Sequence, residues 1–209
     1  MPDEPKAASR MTNQTAELTV AHDSIADQPP AGLRWLLAGG GAIGFLAAFV
    51  LTVERFHLLT DPNYKPSCSI NSVLSCGSVM MSDQAALFGF PNPLLGIAGF
   101  AIVTTLGVVL LAGVQLPRWI WLGLQVGATA AAVLIHWLIY QSIYSIGALC
   151  PYCMVVWAVT IPIFWFVTLH TFRRAGWVRS LSGYHTVMIA AWALFVTGIV
   201  LTRFWLGNG

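Results

Sequence analysis

Four cysteines are the residues of this sequence best suited to do chemistry, and two of them form a CxxC motif. Cys150 and Cys153 enclose Pro151 and Tyr152 at the start of a long apolar run. A disulfide that closes so short a loop removes little entropy from the unfolded chain, so it is a poor structural cross-link. The motif therefore favours a redox-active dithiol.

The position of this motif at a predicted helix start makes its thiols reactive. If Cys150 lies near the N-cap and Pro151 is the first helical residue, unpaired amides and the positive end of the helix dipole face the sulfurs. Both stabilise a thiolate and can lower a thiol pKa below its usual value of about 8.5. Cys153 lies roughly 4.5 Å further along the helix. Such a dithiol at a membrane surface can meet a lipid-soluble carrier, and a quinone, menaquinone or ubiquinone, is the candidate.

Cys68 and Cys76 form the second pair, eight residues apart in a long polar loop. This spacing suits neither a zinc knuckle nor a CxxC motif. Ile70, Val73 and Leu74 recur at helical spacing between them, which predicts a half-buried interfacial helix with one cysteine at each end. The pair could take a disulfide to an external protein and then turn towards Cys150.

The elements that must position these cysteines are membrane helices. The chain of 209 residues is 57% hydrophobic and 9% charged, with a mean hydropathy of +0.73, which is too apolar for an ordinary soluble domain. The net charge of +2 and the absence of a basic stripe with interleaved aromatics argue against nucleic acid as a partner. We predict an all-α integral membrane protein with five spans, at 33–53, 94–114, 119–142, 150–170 and 186–206.

The remaining segments are a tail and a loop. Residues 1–32 are polar and end in two prolines, which predicts a disordered tail, and residues 33–209 form the membrane domain. With the N-terminus in the cytoplasm, seven basic residues lie inside and three outside, as the positive-inside rule requires. All four cysteines then lie on the outer, oxidising side of the inner cell membrane, two of them in the loop 54–93.

The combined pattern resembles the vitamin K epoxide reductase family, in particular bacterial members without a fused thioredoxin-like domain. The resemblance covers about residues 33–170 and includes the cysteine pair in the first outer loop, the sequence FPNPLLG at 90–96 and the CPYC motif that opens the fourth span. It implies a four-helix bundle around a quinone, capped by an outer loop with short helical pieces and followed by a fifth transmembrane helix.

The resemblance also implies roles for individual residues. Cys68 would be the shuttle thiol exposed to a partner, Cys76 would exchange with Cys150, and Cys153 would meet the quinone ring. Asn92 would donate a hydrogen bond to a quinone oxygen. The implied activity is oxidation of a separate, extracytoplasmic thioredoxin-fold thiol oxidase, since the sequence ends just past the fifth span.

Other residues could line the quinone site, and each has a plainer interpretation. Trp157 lies one turn beyond Cys153, where animal relatives have a tyrosine, and could donate one hydrogen bond or be a packed aromatic. His136 is an ionisable residue within the third span that could protonate a quinol or bond to a backbone carbonyl. Asn92 fits a turn between two prolines. Met80 and Phe88 could line an apolar pocket or anchor the loop in the headgroups.

Three other functions fit parts of the pattern. A convergent four-span quinone reductase of the disulfide-bond formation protein B type would carry its shuttle pair in the second outer loop, whereas here it lies in the first. Four cysteines could bind or transport Zn or Cu(I), although we expect no metal here. Two inert disulfides in a structural membrane protein are the third alternative.

Overall fold

The computed structural model describes residues 28–61, 63–87, 89–176, 178 and 182–206. Within these ranges five helices are long and apolar enough to cross a membrane. They are α1 (Ala31–Thr60), α3 (Pro93–Leu111), α4 (Arg118–Ile146), α5 (Pro151–Thr171) and α6 (His185–Phe204). A short helix, α2 (Cys76–Met80), and a 3₁₀ turn, Asp83–Ala86, lie in the loop between α1 and α3. The all-α membrane fold is confirmed, and most of the predicted tail lies outside the described residues.

Helices α1, α3, α4 and α5 pack into a bundle, and small residues allow the closest contacts. A Cβ on Gly41 of α1 would come within 2.6 Å of the Thr104 hydroxyl of α3, so only glycine fits there. At one end of the bundle, buried apolar residues from all four helices form a core that includes Leu37, Phe100 and Val167. Helix α6 packs on the outside, where Val200 joins a second core cluster.

Helix α1 is longer than the sequence predicts, because it continues through 54–60 into the segment assigned to the outer loop. Glu54 is buried, yet its carboxylate accepts hydrogen bonds from Tyr64 and Ser67 of the following loop. The charge is thereby satisfied without ending the helix. Helix α4 ends at Ile146, and the next residue, Gly147, has a φ of 68°, a left-handed conformation that glycine adopts without strain.

The segment between Cys68 and Cys76 is not the predicted interfacial helix. The Asn71 side chain accepts hydrogen bonds from the backbone N–H groups of Val73 and Leu74, and Ile70 donates its N–H to the Leu74 carbonyl. These bonds make a turn that competes with helix formation. The helical spacing of the three apolar residues was therefore a misleading signal, and Ile70 is exposed.

Candidate active site

A short backbone pairing brings the two cysteine pairs together. Leu74 and Leu149 form a parallel β-bridge, in which Leu149 donates its N–H to the Val73 carbonyl and Ser75 donates to the Leu149 carbonyl. Each partner of this bridge lies one or two residues before a cysteine. The pairing therefore positions the first residue of α2, Cys76, against Cys150 at the start of α5.

The sulfur atoms form one connected group at this end of the bundle. Cys68 and Cys76 are joined by a disulfide, while Cys150 and Cys153 are free thiols. The Sγ atoms of Cys76 and Cys150 lie 3.2 Å apart. Three of the cysteines form a buried cluster with Leu51 and Met80, and the partly buried Cys153 packs against it. The sequence predicted that the cysteines share one side, and the structure adds which sulfurs are adjacent.

The start of α5 activates Cys150 as expected from the sequence. Cys150 is the N-cap and Pro151 the first helical residue. The pKa of the Cys150 thiol is lowered, mainly by the hydrogen bond from the Cys153 thiol and also by the backbone N–H groups of Cys153 and Tyr152, against the opposing effect of burial. Cys150 is therefore a good leaving group in thiol–disulfide exchange.

Cys68 is not open to solvent, although the resemblance implies a thiol exposed to a partner. It is 6% exposed and belongs to the cysteine cluster, and the residue before it, Ser67, is bonded to Glu54 of α1. The Glu54 carboxylate accepts hydrogen bonds from Tyr64 Oη at 2.8 Å, Ser67 Oγ at 2.5 Å and the Ser67 backbone N–H at 3.4 Å. We call these three bonds the Glu54 network. Its bond to Tyr64 also raises the pKa of that phenol.

A cavity of about 830 Å³ lies inside the four-helix bundle and reaches the cysteines. Its lining is largely aliphatic and aromatic, and Cys153 lies at its cysteine end. The volume falls within the range of small-molecule sites. The side chains of the lining that carry a polar atom or a thiol are few: Arg55, Asn92, Trp119, Cys153, Trp157 and Thr160. An apolar chamber with a few polar groups beside a dithiol fits a quinone ring with a prenyl tail.

Three of the predicted quinone-site residues line this cavity. Met80 is buried, and its carbonyl accepts a hydrogen bond from Arg55. Trp157 is also buried. The Asn92 carbonyl oxygen accepts from the Leu87 N–H at 3.1 Å, and its amide donates to the Gln84 carbonyl at 2.7 Å. Asn92 thus fixes a turn, and Gln84 takes one of its two N–H donors.

The other two predicted residues have different outcomes, because only one of them is described. His136 is absent from the described lining and faces α6 instead. Its Nδ1 lies 2.7 Å from the Ala132 carbonyl, and its Nε2 accepts a hydrogen bond from the Trp192 indole at 2.9 Å. Both ring nitrogens have hydrogen-bond partners, which fits the plainer of the two interpretations of His136. Phe88 lies outside the described residues.

Sequence reasoning missed two charged residues at the end of α1. Arg55 lines the cavity and donates to the Met80 carbonyl at the end of α2, while its buried Nε has no partner among the described residues. Glu54 accepts hydrogen bonds from Tyr64 and Ser67 in the earlier part of the same loop. The signal was present, because ionisable residues at the end of an apolar run are often functional, but both were assigned to the loop.

The vitamin K epoxide reductase family model matches residues 35–168. The chain belongs to this family. The match includes all four cysteines, Asn92 and Trp157. No curated protein matches the sequence. As a family member the protein is a multi-pass membrane oxidoreductase of the kind that acts on disulfides and quinones.

Proposed function

We propose that this vitamin K epoxide reductase family member is a quinone-dependent disulfide oxidase. It takes electrons from a reduced thioredoxin-fold partner through Cys68 and Cys76, passes them to Cys150 and Cys153, and delivers them to a quinone. The result is disulfide formation in exported proteins. One observation carries the proposal: the sulfur of Cys76 is bonded to Cys68 and lies 3.2 Å from the sulfur of Cys150.

The proposed electron transfer begins with the shuttle pair. A thiolate of the partner attacks Cys68, and Cys76 leaves as a thiolate. The second thiol of the partner then breaks the mixed disulfide, so the partner is oxidised and both shuttle cysteines are reduced. This step needs the loop to open, because Cys68 is buried and directly follows Ser67, which the Glu54 network holds against α1.

The second exchange moves the electron pair to the CxxC motif. Cys76 attacks Cys150 of a Cys150–Cys153 disulfide, and Cys153 leaves as a thiolate. Cys68 then attacks Cys76, which re-forms the shuttle disulfide and releases Cys150. The described state, with one closed disulfide and two adjacent thiols, is the product expected from this exchange. The lowered pKa of Cys150 favours its release.

The cavity supplies the acceptor site. A quinone bound there would accept two electrons and two protons from the dithiol and leave as a quinol. Cys153 lies at the cavity wall, so its sulfur is the one placed to give up the electron pair, after which it re-forms the disulfide with Cys150. Arg55, Asn92 and Trp157 carry the N–H donors that we propose orient the quinone oxygens.

The proposed orientation puts the cysteines on the outer face. Arg34, Arg118, Arg173 and Arg174 occupy the end of the bundle away from the cysteines, and the positive-inside rule places that end in the cytoplasm. The N-terminus is then cytoplasmic in an inner cell membrane. A separate thioredoxin-fold thiol oxidase outside the cytoplasm could reach the loop that carries Cys68.

Trapping of the partner tests this proposal. In Cys76→Ser the Cys68 thiol is expected to attack the disulfide of the oxidised thioredoxin-fold partner and to accumulate as a mixed disulfide on a non-reducing gel, because Cys76 is not there to displace the partner from Cys68. Cys150→Ser is the matched control, because Cys76 still resolves the adduct at Cys68. A well-folded Cys76→Ser protein that forms no adduct would remove Cys68 from the shuttle role.

A further inference from the structure

The turn between the two shuttle cysteines exposes one apolar side chain close to a buried sulfur. Ile70 is 70% exposed, whereas Cys68, two residues earlier, is 6% exposed. Asn71 and Ser72, which follow Ile70, are also exposed, and both are polar, which favours a tip that faces water over one that inserts among acyl chains. None of the proposed electron-transfer steps uses Ile70.

Hydrogen bonds hold this turn in one conformation. Ile70 donates its backbone N–H to the Leu74 carbonyl at 2.8 Å, and the Asn71 side chain closes the turn. Leu74 is also paired with Leu149, just before the start of α5. These bonds do not involve the Glu54 network, so Ile70 can stay in place while that network opens.

The size of a protein interface places Ile70 within the contact area of any partner that bonds to Cys68. The Cα atoms of residues two apart in sequence are separated by at most about 7 Å. A small interface of about 1,000 Å² in total covers about 500 Å² on each partner, which is a disc roughly 25 Å across. A single exposed isoleucine is ordinary on a protein surface, but this one lies where the partner must come.

The chemistry around Ile70 favours apolar recognition. No charged residue occurs between Lys65 and Asp83, so this part of the loop cannot guide a partner by charge pairing. An apolar side chain contributes instead by leaving water, and a turn that is already rigid loses little entropy on binding.

We propose that Ile70 is the docking contact for the thioredoxin-fold partner and enters an apolar depression beside the reactive thiol of that partner. The inference rests on the proposed shuttle role of Cys68. Docking on Ile70 holds the partner at the closed loop, and its thiolate reaches the Cys68 sulfur when the loop opens.

The ratio of two reduction rates tests this contact. In full-length Cys150→Ser/Cys153→Ser protein, the shuttle disulfide is reduced either by reduced thioredoxin, the probe protein, or by dithiothreitol. Ile70→Ser should lower the second-order rate constant with thioredoxin at least tenfold, because burial of an isoleucine side chain contributes at least this factor to binding. The rate with dithiothreitol should not change, since this small dithiol has no surface that covers Ile70.

Two control variants separate docking from folding. Ile70→Leu keeps an apolar side chain and should keep most of the thioredoxin rate. Val187→Ser changes a side chain of similar exposure, 63%, at the start of α6 and should affect neither rate. An unchanged thioredoxin rate in Ile70→Ser would leave lipid as the group that covers Ile70 and would overturn the proposal. Equal changes in both rates would also overturn it, because they would assign Ile70 to the stability of the loop.

The trapping experiment with Cys76→Ser tests the shuttle role independently. A trapped adduct together with a wild-type thioredoxin rate in Ile70→Ser would refute only the docking contact. Absence of the adduct would refute the proposed function, whatever the rates of the Ile70 variants are.

Discussion

The Glu54 network should control how readily a dithiol reaches Cys68. The Glu54→Gln variant tests this through the rate at which the Cys68–Cys76 disulfide is reduced. The substitution keeps the side-chain shape but removes the charge that accepts bonds from Tyr64 and Ser67. Hydrogen bonds to charged groups contribute about 1.5–3 kcal/mol and neutral ones about 0.5–1.5 kcal/mol. If each of these two or three bonds loses roughly 1 kcal/mol, the free energy that holds the loop closed falls by about 2 kcal/mol. The open population of the loop then becomes roughly 30-fold larger.

The assay follows reduction of a single disulfide. In a Cys150→Ser/Cys153→Ser background, the Cys68–Cys76 bond is reduced by excess dithiol, and the products are alkylated with a mass tag and counted. Because Cys68 is 6% exposed, reduction should follow the open population of the loop. We expect Glu54→Gln to accelerate reduction about 30-fold.

Two tyrosine variants calibrate this result. Tyr64→Phe removes one bond of the Glu54 network and should accelerate reduction about fivefold, for a loss of roughly 1 kcal/mol. Tyr140→Phe changes an exposed tyrosine of α4, whose ring lies 4.9 Å from that of Tyr144 in a tilted arrangement, and should have no effect. An unchanged reduction rate in Glu54→Gln, with the protein still folded, would refute the view that this network holds the loop at Cys68 closed.

The remaining predictions concern the cavity and the pKa of Cys150. A Cβ on Gly127 meets nothing within 4 Å and Gly127 lines the cavity, so Gly127→Leu should lower the rate of quinone reduction at least tenfold while dithiol reduction of the shuttle disulfide is unchanged. Gly198→Leu, at an equally open position on α6, is the control, and equal losses in both would contradict the cavity as the quinone site. Cys153→Ala removes the S–H donor that lowers the pKa of Cys150, so thiolate absorbance of this single free thiol should appear at higher pH than in Cys153→Ser, which keeps a donor. Identical titrations of the two variants would show that the donor has no such effect.

The apolar runs made the membrane fold predictable, because a span needs about 20 apolar residues whatever surrounds it. The CxxC motif with Pro151 likewise fixed the start of α5, since a proline at the first helical position is a local signal. The end of α1 was not predictable in the same way. Glu54 and Arg55 look like loop residues until Tyr64, Ser67 and the α2 backbone are known to be their partners.

The geometry of the cysteines needed non-local information. The pairing of Leu74 with Leu149 joins segments 75 residues apart, and no local pattern in either segment predicts that they pair. Local spacing favoured a helix between Cys68 and Cys76, but the Asn71 side chain favours a turn. His136 could equally have faced the cavity or α6, and only the position of Trp192 decides between them.

The central claim is that Cys76 can exchange Cys68 for Cys150 as its disulfide partner. A variant that keeps only Cys76 and Cys150 tests this claim most directly. In Cys68→Ser/Cys153→Ser, the remaining Cys76 and Cys150 should form a disulfide under mild oxidation, because their sulfurs lie 3.2 Å apart. Mass spectrometry of the digest should then find the loop peptide joined to the α5 peptide in nearly all molecules. Recovery of both cysteines as separate alkylated thiols from folded protein would contradict the account.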